Sequence, residues 1–291
     1  MSIVLIHGGA ANFDANAPEL ATKQAAVMRA KHALDDKNLP ALDLVELAVK
    51  NLELAPELNA GFGSVIQMDG AIRMDAGICD SDQHYAAVLQ IEQTKNPILV
   101  ARKLMGFGYH SILSGSGARQ FADEMGFPRE SAFTAERMNE YQEMREEFCA
   151  LSYHDLAQRM DIINKKKLGT VGAVAIDESG NLAAACSTGG TKYCFPGRVG
   201  DTGVFGAGVY CSKHIAVALT GEGDKILRRM TAKLVETLYL QSGDLQQAVD
   251  AAAKDLLTAE DGYCGIIAVS SKRQSAHVHS TKFMAFAKAD I

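Results

Sequence analysis

The stretch KKKLGTVGAVAID, residues 165–177, changes character within three positions. A charged, helix-like segment ends at Lys167, and at Thr170 an apolar run begins that reads as a buried β-strand. LAAACST at 182–188 is a second such run, and Glu178-Ser179-Gly180-Asn181 between the two is turn chemistry, so together they form a hairpin. The seam carries Gly169-Thr170, a hydroxyl directly behind a glycine at the mouth of a core strand. Taken alone, this pattern favours a helix-to-strand junction with Gly169 as the helix C-cap.

The flanking sequence extends the same architecture. SIVLIHGGA at 2–10 reads as a buried strand ending in a Gly turn. A helical pattern covers 19–36, with Leu20, Ala26, Val27, Ala30 and Leu34 near one face, and Asp43 caps a second helix through about Leu54. In NAGFGSVIQMDGAIRMDAGICDS, 59–81, two short strands are expected to flank Asp69-Gly70. HYAAVLQI at 84–91 is another strand, Pro97 opens a helix to about Met105, and 117–125 form a short helix. Residues 134–166 are charged and lack Gly and Pro, as exposed helix followed by linker would.

Beyond the hairpin, VFGAGVYC (204–211) and HIAVALTGEG (214–223) read as strands. Helices are expected at about 223–241 and 245–257, the second with Leu245, Val249, Ala252 and Leu256 on one stripe. GYCGIIAVSS (262–271) and QSAHVHST (274–281) close the chain as strands. Hairpins dominate, so the sheets are largely antiparallel. Helices come in pairs, each covering one face. The fold class expected is α+β, a layered sandwich with helices outside and sheets inside.

The chain has 291 residues, enough for one large layered domain, and 47% of them are hydrophobic, so a sizeable core can form. A net charge of -6 argues against a nucleic-acid footprint, which needs clustered Lys and Arg; Lys165-Lys166-Lys167 reads as a solvated helix end. Six scattered cysteines without a Cys-x-x-Cys pair read as reduced residues of a cytoplasmic protein. The apolar run from Ser2 to His7 is too short for a signal peptide, and no stretch approaches the roughly 18 residues of a membrane span.

Most motifs of common chemistries are absent. There is no Gly-x-Ser-x-Gly elbow, no P-loop and no His-Glu-x-x-His. His277 and His279 share a strand face and read as exposed rather than metal-binding, and Gly115-Ser116-Gly117 reads as a turn before a helix. Three Gly-rich turns remain, each closing or opening an apolar strand: Gly169-Thr170, STGG at 187–190 running on to PGRVGD at 196–201, and TGEG at 220–223. Each taken singly is more often a plain turn. Together they invite a single site.

GTVGAVAIDESGNLAAACSTGG followed by PGRVGDTGVFGAG resembles the plant-type asparaginase and isoaspartyl peptidase family, as do HGGA near the start, NAGFGSV at 59–65, KNPILVAR at 95–102 and TGEG. The likeness covers nearly the whole chain except the linker and reverses the junction reading of the seam. It implies an N-terminal-nucleophile hydrolase with a four-layer αββα sandwich, in which a precursor, 1–291, cuts itself at Gly169-Thr170 into 1–169, with its linker at about 134–169, and 170–291. The chemistry agrees. A threonine hydroxyl is a poor nucleophile until a base takes its proton, and a chain-terminal threonine brings its own α-amine, with a pKa of roughly 7.7–8.0. Gly169, lacking a Cβ, lets that hydroxyl approach its carbonyl.

By resemblance, Thr170 is the nucleophile and Thr188 hydrogen-bonds it; alone, Thr188 reads as a turn hydroxyl. Arg198 would fork onto a substrate α-carboxylate, and Asp201, otherwise a turn aspartate, would hold the α-ammonium. Thr220 and Gly221 form an oxyanion hole, Gly221 and Gly223 contact substrate through the backbone, and Asn59 assists self-cleavage. The family also implies a structural Na⁺ on backbone carbonyls just before Asn59, no organic cofactor, and an assembly with two copies of each fragment. The activity implied is hydrolysis of β-aspartyl dipeptides and L-asparagine. A glycosylasparaginase-like amidase and an uncleaved member acting as a binding protein are the alternatives. The first usually has Asp where this chain has Gly169. The second is kept open by departures near the pocket: Thr191-Lys192-Tyr193-Cys194-Phe195, Cys79-Asp80-Ser81 and Thr202-Gly203 differ from the usual family runs.

Overall fold

The computed structural model describes residues 1–11, 18–35, 38–148, 151–152, 154–155 and 169–291. A seven-stranded sheet has the order β11-β1-β5-β6-β2-β3-β4, with β1 Ile3–Ala11, β2 Met74–Asp80, β3 Tyr85–Ile91, β4 Ile112–Ser114, β5 Val171–Ile176, β6 Leu182–Thr188 and β11 Phe283–Asp290. A four-stranded sheet has the order β10-β9-β8-β7, with β7 Val209–Cys211, β8 Ile215–Gly221, β9 Cys264–Ser270 and β10 Ser275–His279. All strand pairs are antiparallel except β3 with β4.

Side-chain alternation builds the layers. Ile3 and Leu5 of β1, Val174 and Ile176 of β5, and Leu182, Ala184 and Cys186 of β6 point at the small sheet, meeting Val209, Ala216, Ala218, Ile267 and Val269. Val4, Ile6, Val171, Ala173, Ala183 and Ala185, one residue out of phase, face α2 (Ala41–Glu53) and its neighbours α1 (Pro18–His32) and α3 (Pro97–Phe107). With both faces buried, these strands are continuous apolar runs. Small residues on β5 and β6 let α2 sit close, through Leu44, Val45, Ala48, Val49 and Leu52. On the far side, α7 (Thr231–Ser242) and α8 (Leu245–Glu260) cover the small sheet, with Leu245, Val249, Ala252 and Leu256 inward as their spacing predicts. The result is the four-layer αββα sandwich.

Several local expectations are corrected. Only β2 forms within 59–81; residues 64–73 carry no strand, and Asp69-Gly70 closes a local turn in which Gln67 and Ala71 bond. The helix expected at 223–241 breaks at Met230, whose φ of 48° is left-handed, into α6 (Gly223–Arg229) and α7. The helix α2 starts two residues before Asp43, α4 (Gly115–Glu124) starts at Gly115 itself, and β4 and β11 are additional strands. His277 and His279 are exposed as expected, with the His277 ring stacked on Phe286. Of the linker at about 134–169, α5 (Ala135–Phe148) is helical as predicted, while most of 149–168 lies outside the described residues.

The hairpin is locked at the end away from Thr170. Asp177 Oδ2 accepts from Ala41 N at 3.1 Å, capping the start of α2, and Oδ1 accepts from Asn181 N at 2.9 Å across the turn. Asp177 is buried, so Asp177→Ala leaves donors unsatisfied in two elements at once. We expect a loss of about 2 kcal/mol in urea unfolding with the chemistry at the other end of β5 unchanged; an unaltered midpoint would remove Asp177 from this role.

Candidate active site

Four strand ends meet at the head of β5. In β1 the register against β11 shifts between His7 and Ala10, so Gly8-Gly9 forms a bulge where β1 parts from β5. Gly9 is left-handed, with φ of 100°. Its surroundings require glycine: a Cβ there would stand 2.7 Å from Gly169 Cα, and a Cβ on Gly169 would stand 2.5 Å from Gly9 Cα and 2.6 Å from Thr220 Oγ1. The backbone at Gly169 is therefore clasped between the β1 bulge and the end of β8. Thr220 is fully buried and its Oγ1 accepts from Ala10 N at 3.4 Å. Gly221 beside it has φ of 146°, and a Cβ would meet Tyr263 O at 2.3 Å.

Thr170 is buried, and its Oγ1 lies 3.2 Å from Thr202 Oγ1. Thr188 ends β6, where its Oγ1 accepts from Gly190 N at 3.0 Å and shapes the STGG turn. Asn59 ties that turn to the 59–65 loop: Nδ2 donates to Gly190 O at 2.7 Å, Oδ1 accepts from Val65 N at 3.0 Å, and its carbonyl accepts from Gly189 N at 3.0 Å.

Arg198 and Asp201 stand together on the 196–201 turn, with Gly223 directly over them. A Cβ on Gly223 would be 2.6 Å from Asp201 Oδ1 and 2.9 Å from Arg198 Nη2. Arg198 Nη2 pairs with Asp224 Oδ2 at 3.0 Å. Burial opposes the guanidinium charge, but Asp224 and Asp201 more than offset it, and its pKa lies above the usual value. Asp201 is buried and its Oδ2 has no hydrogen-bond partner. Burial pushes its pKa up to about 6 despite the attraction of Arg198. A buried carboxylate with a free oxygen, next to an arginine, is an incomplete set of charges.

The supporting residues were not legible beforehand. Asp75, at the start of β2, accepts from Gln90 N at 2.8 Å and Gly200 N at 3.4 Å, and Gln90 Nε2 donates to Arg198 O at 2.7 Å. These bonds fix the charged turn to the ends of β2 and β3. His7 is fully buried; burial lowers its pKa to about 3, partly offset by the main chain of Thr170, so it is neutral, and neither ring nitrogen has a partner at hydrogen-bond geometry. MDAG, HGGA and the residue after PGRVGD were visible as text, but nothing in their spacing reported these contacts.

The unusual 191–195 segment is docked, not loose. Tyr193 is buried and left-handed at φ of 54°, and its hydroxyl donates to Glu140 O on α5 at 2.9 Å. Lys192 pairs with the Glu140 carboxylate at 2.7 Å, and Arg137 Nε donates to Gly63 O at 3.0 Å. The segment thereby joins α5 to the rim of the site. Among the described residues, no group of three or more His, Cys, Asp or Glu could hold a metal, and no helix is long and apolar enough to cross a membrane.

Comparison with known proteins points the same way as this geometry. The asparaginase family model matches residues 1–290. A plant-type L-asparaginase of Pyrococcus abyssi is 37% identical over 296 residues, covering 99% of this chain and 96% of that protein. An isoaspartyl peptidase/L-asparaginase of Rattus norvegicus is 37% identical over 278 residues, covering 92% of this chain and 80% of that one. An isoaspartyl peptidase of Escherichia coli is 33% identical over 295 residues, covering 97% and 91%. The chain belongs to the plant-type L-asparaginase and isoaspartyl peptidase family.

Proposed function

We propose that this chain is a self-processing threonine amidohydrolase that releases L-aspartate from β-aspartyl dipeptides and L-asparagine. The observation that carries the reading is the clasp at Gly169-Thr170, with the Arg198–Asp201 pair in the same site. In the intact chain the nitrogen of Thr170 is an amide and cannot act as a base. Attack of Thr170 Oγ1 on the Gly169 carbonyl carbon shifts the acyl group from nitrogen to oxygen. Water then hydrolyses that ester, leaving a Gly169 carboxylate and a free Thr170 amine.

The freed amine accepts the proton of Thr170 as its hydroxyl attacks the β-carbonyl of the substrate. Thr220 and the Gly221 N–H stabilise the oxyanion. The leaving amine departs with that proton; the Thr170 amine then takes a proton from water, whose hydroxide cleaves the β-aspartyl ester, and returns it to Thr170 Oγ1. The sheet order interleaves the two fragments: β11, β5 and β6 belong to 170–291, and β1, β2, β3 and β4 to 1–169. A cut at the seam therefore leaves the fragments held by the ladders of β1 with β11 and β5, and of β2 with β6.

Backbone carbonyls of Glu53 and Lys95 lie around Gly61, and those of Pro56 and Leu58 around Gly63, both left-handed glycines with no room for a Cβ. Carbonyl oxygens are the ligand type Na⁺ takes, and an ion held by carbonyls of this stretch would fix the loop that carries Asn59 and take no part in the bond changes. Assembly with two copies of each fragment and a cytoplasmic location belong to the same proposal. The five described cysteines, all free and buried, support the latter.

Recognition of an α-ammonium and α-carboxylate on one carbon predicts cleavage of β-Asp-Leu and sparing of α-Asp-Leu. Thr170→Ala should stay whole and inactive. Arg198→Lys keeps the charge but loses the fork, and kcat/KM should drop by at least about tenfold, a charge-assisted bond being worth roughly 1.5–3 kcal/mol. Equal cleavage of the two isomers would remove the 196–201 turn from recognition.

Asp201 also sets a pH dependence. It must be ionised to hold the ammonium, so kcat/KM should rise as pH rises through about 6, and Asp201→Asn should erase that limb. The stability sign is the reverse. A raised carboxyl pKa means the folded state binds more protons than the unfolded one between about 4 and 6, so stability falls as pH rises through that window. Asp201→Asn should therefore be less active yet more stable at pH 8, by up to about 3 kcal/mol at roughly 1.4 kcal/mol per pKa unit. A variant that loses both activity and stability there would contradict the charge argument.

A further inference from the structure

Thr202 follows Asp201 on the charge-reading turn and is almost fully buried. Its Oγ1, at 3.2 Å, is the hydrogen-bond partner of the Thr170 hydroxyl among the described residues, while Thr188 is bonded to its own turn. The turn cannot drift from that position. Gly203 is pressed against β3, where an added Cβ would meet Leu89 Cδ2 at 2.3 Å, and its carbonyl accepts from the Tyr85 hydroxyl. The carbonyl of Thr202 itself would lie 3.2 Å from a Cβ on Gly77 of β2. Threonine is stiff about χ1, so a fixed backbone here fixes the hydroxyl.

We propose that Thr202 is a positioning residue that aims the Thr170 hydroxyl in both self-cleavage and substrate hydrolysis, and that its peptide link to Asp201 couples ammonium binding to that aim. A hydroxyl both accepts and donates. In the uncut chain Thr202 accepts from Thr170, which leaves a lone pair of Thr170 Oγ1 free toward the Gly169 carbonyl carbon. Once the free amine takes the proton of Thr170, the Thr202 hydroxyl turns to donate to the same oxygen. The inference rests on Thr170 being the nucleophile.

The test uses the full chain carrying Thr202→Val, Thr202→Ala or Thr202→Ser, each checked for a wild-type thermal melt. Two quantities are followed: the first-order rate of fragment formation, by intact mass, and kcat and KM for β-Asp-Leu. Thr202→Val should slow fragment formation and lower kcat, each by at least about tenfold, with KM within about threefold of wild type. Thr202→Ser, which keeps the hydroxyl, should restore both rates to within about threefold. If the Val form does not fold, the Ala and Ser pair makes the same comparison. Wild-type rates in Val or Ala, a Ser form as poor as either, or a change confined to KM would overturn the role of Thr202. A wild type that neither cuts nor hydrolyses would instead sink the nucleophile assignment, so the two failures are distinguishable.

Discussion

The close packing of Gly169 against Gly9 is the constraint on which the site depends. A side chain at either position would drive atoms to within 2.7 Å of backbone. That contact brings the bulge of β1 against the head of β5, and it places Thr220, from the other sheet, beside the same peptide. The two sheets are held in that relation by an apolar layer in which Val174 and Ile176 of β5 and Leu182, Ala184 and Cys186 of β6 meet Ala216 and Ala218 of β8 and Ile267 and Val269 of β9. The close approach at the seam is thus produced by ordinary sandwich packing, with two glycines removing the steric barrier.

The charged turn carries a second constraint. Asp201 is buried and desolvation opposes its charge, while the guanidinium of Arg198 is sustained by Asp224 and Asp201. Asp75 and Gln90 tether the turn by its backbone, so the cost is borne by the fold and not relieved by drift of the turn. The free Oδ2 of Asp201 beside the Arg198–Asp224 pair is the group to which the proposed mechanism assigns the substrate ammonium. In the proposed mechanism, stability given up at Asp201 would be the counterpart of a pocket that reads a zwitterion.

Much of this was legible in the sequence because the core strands are apolar on both faces and the turns are rich in glycine. The seam, the STGG turn and TGEG fall at strand ends, as their local pattern predicts, and PGRVGD lies in the loop between β6 and β7. What escaped reading escaped for physical reasons. β11 mixes Lys288 and Asp290 with apolar residues because it is an edge strand with one partly open face. Residues 64–68 have strand composition, but their backbone groups are used by the Asn59 side chain, Tyr193 and Cys194. Met230 breaks a helical pattern by one left-handed residue, which no periodicity shows. Thr202 and Asp75 are brought to the site by tertiary packing, more than 30 and 90 positions from Thr170 in the chain, and a hydroxyl in a turn has no sequence signature.

In the proposed mechanism the catalytic base does not exist until the chain is cut. Its most direct test is a time course on freshly purified protein, in which intact mass gives the fraction of chain cleaved and aspartate release gives the activity of the same samples. Two fragments are expected, the smaller beginning at Thr170, with activity that rises in proportion to the cleaved fraction from a value near zero. A fully active chain of 291 residues, with no fragment formed, would contradict it.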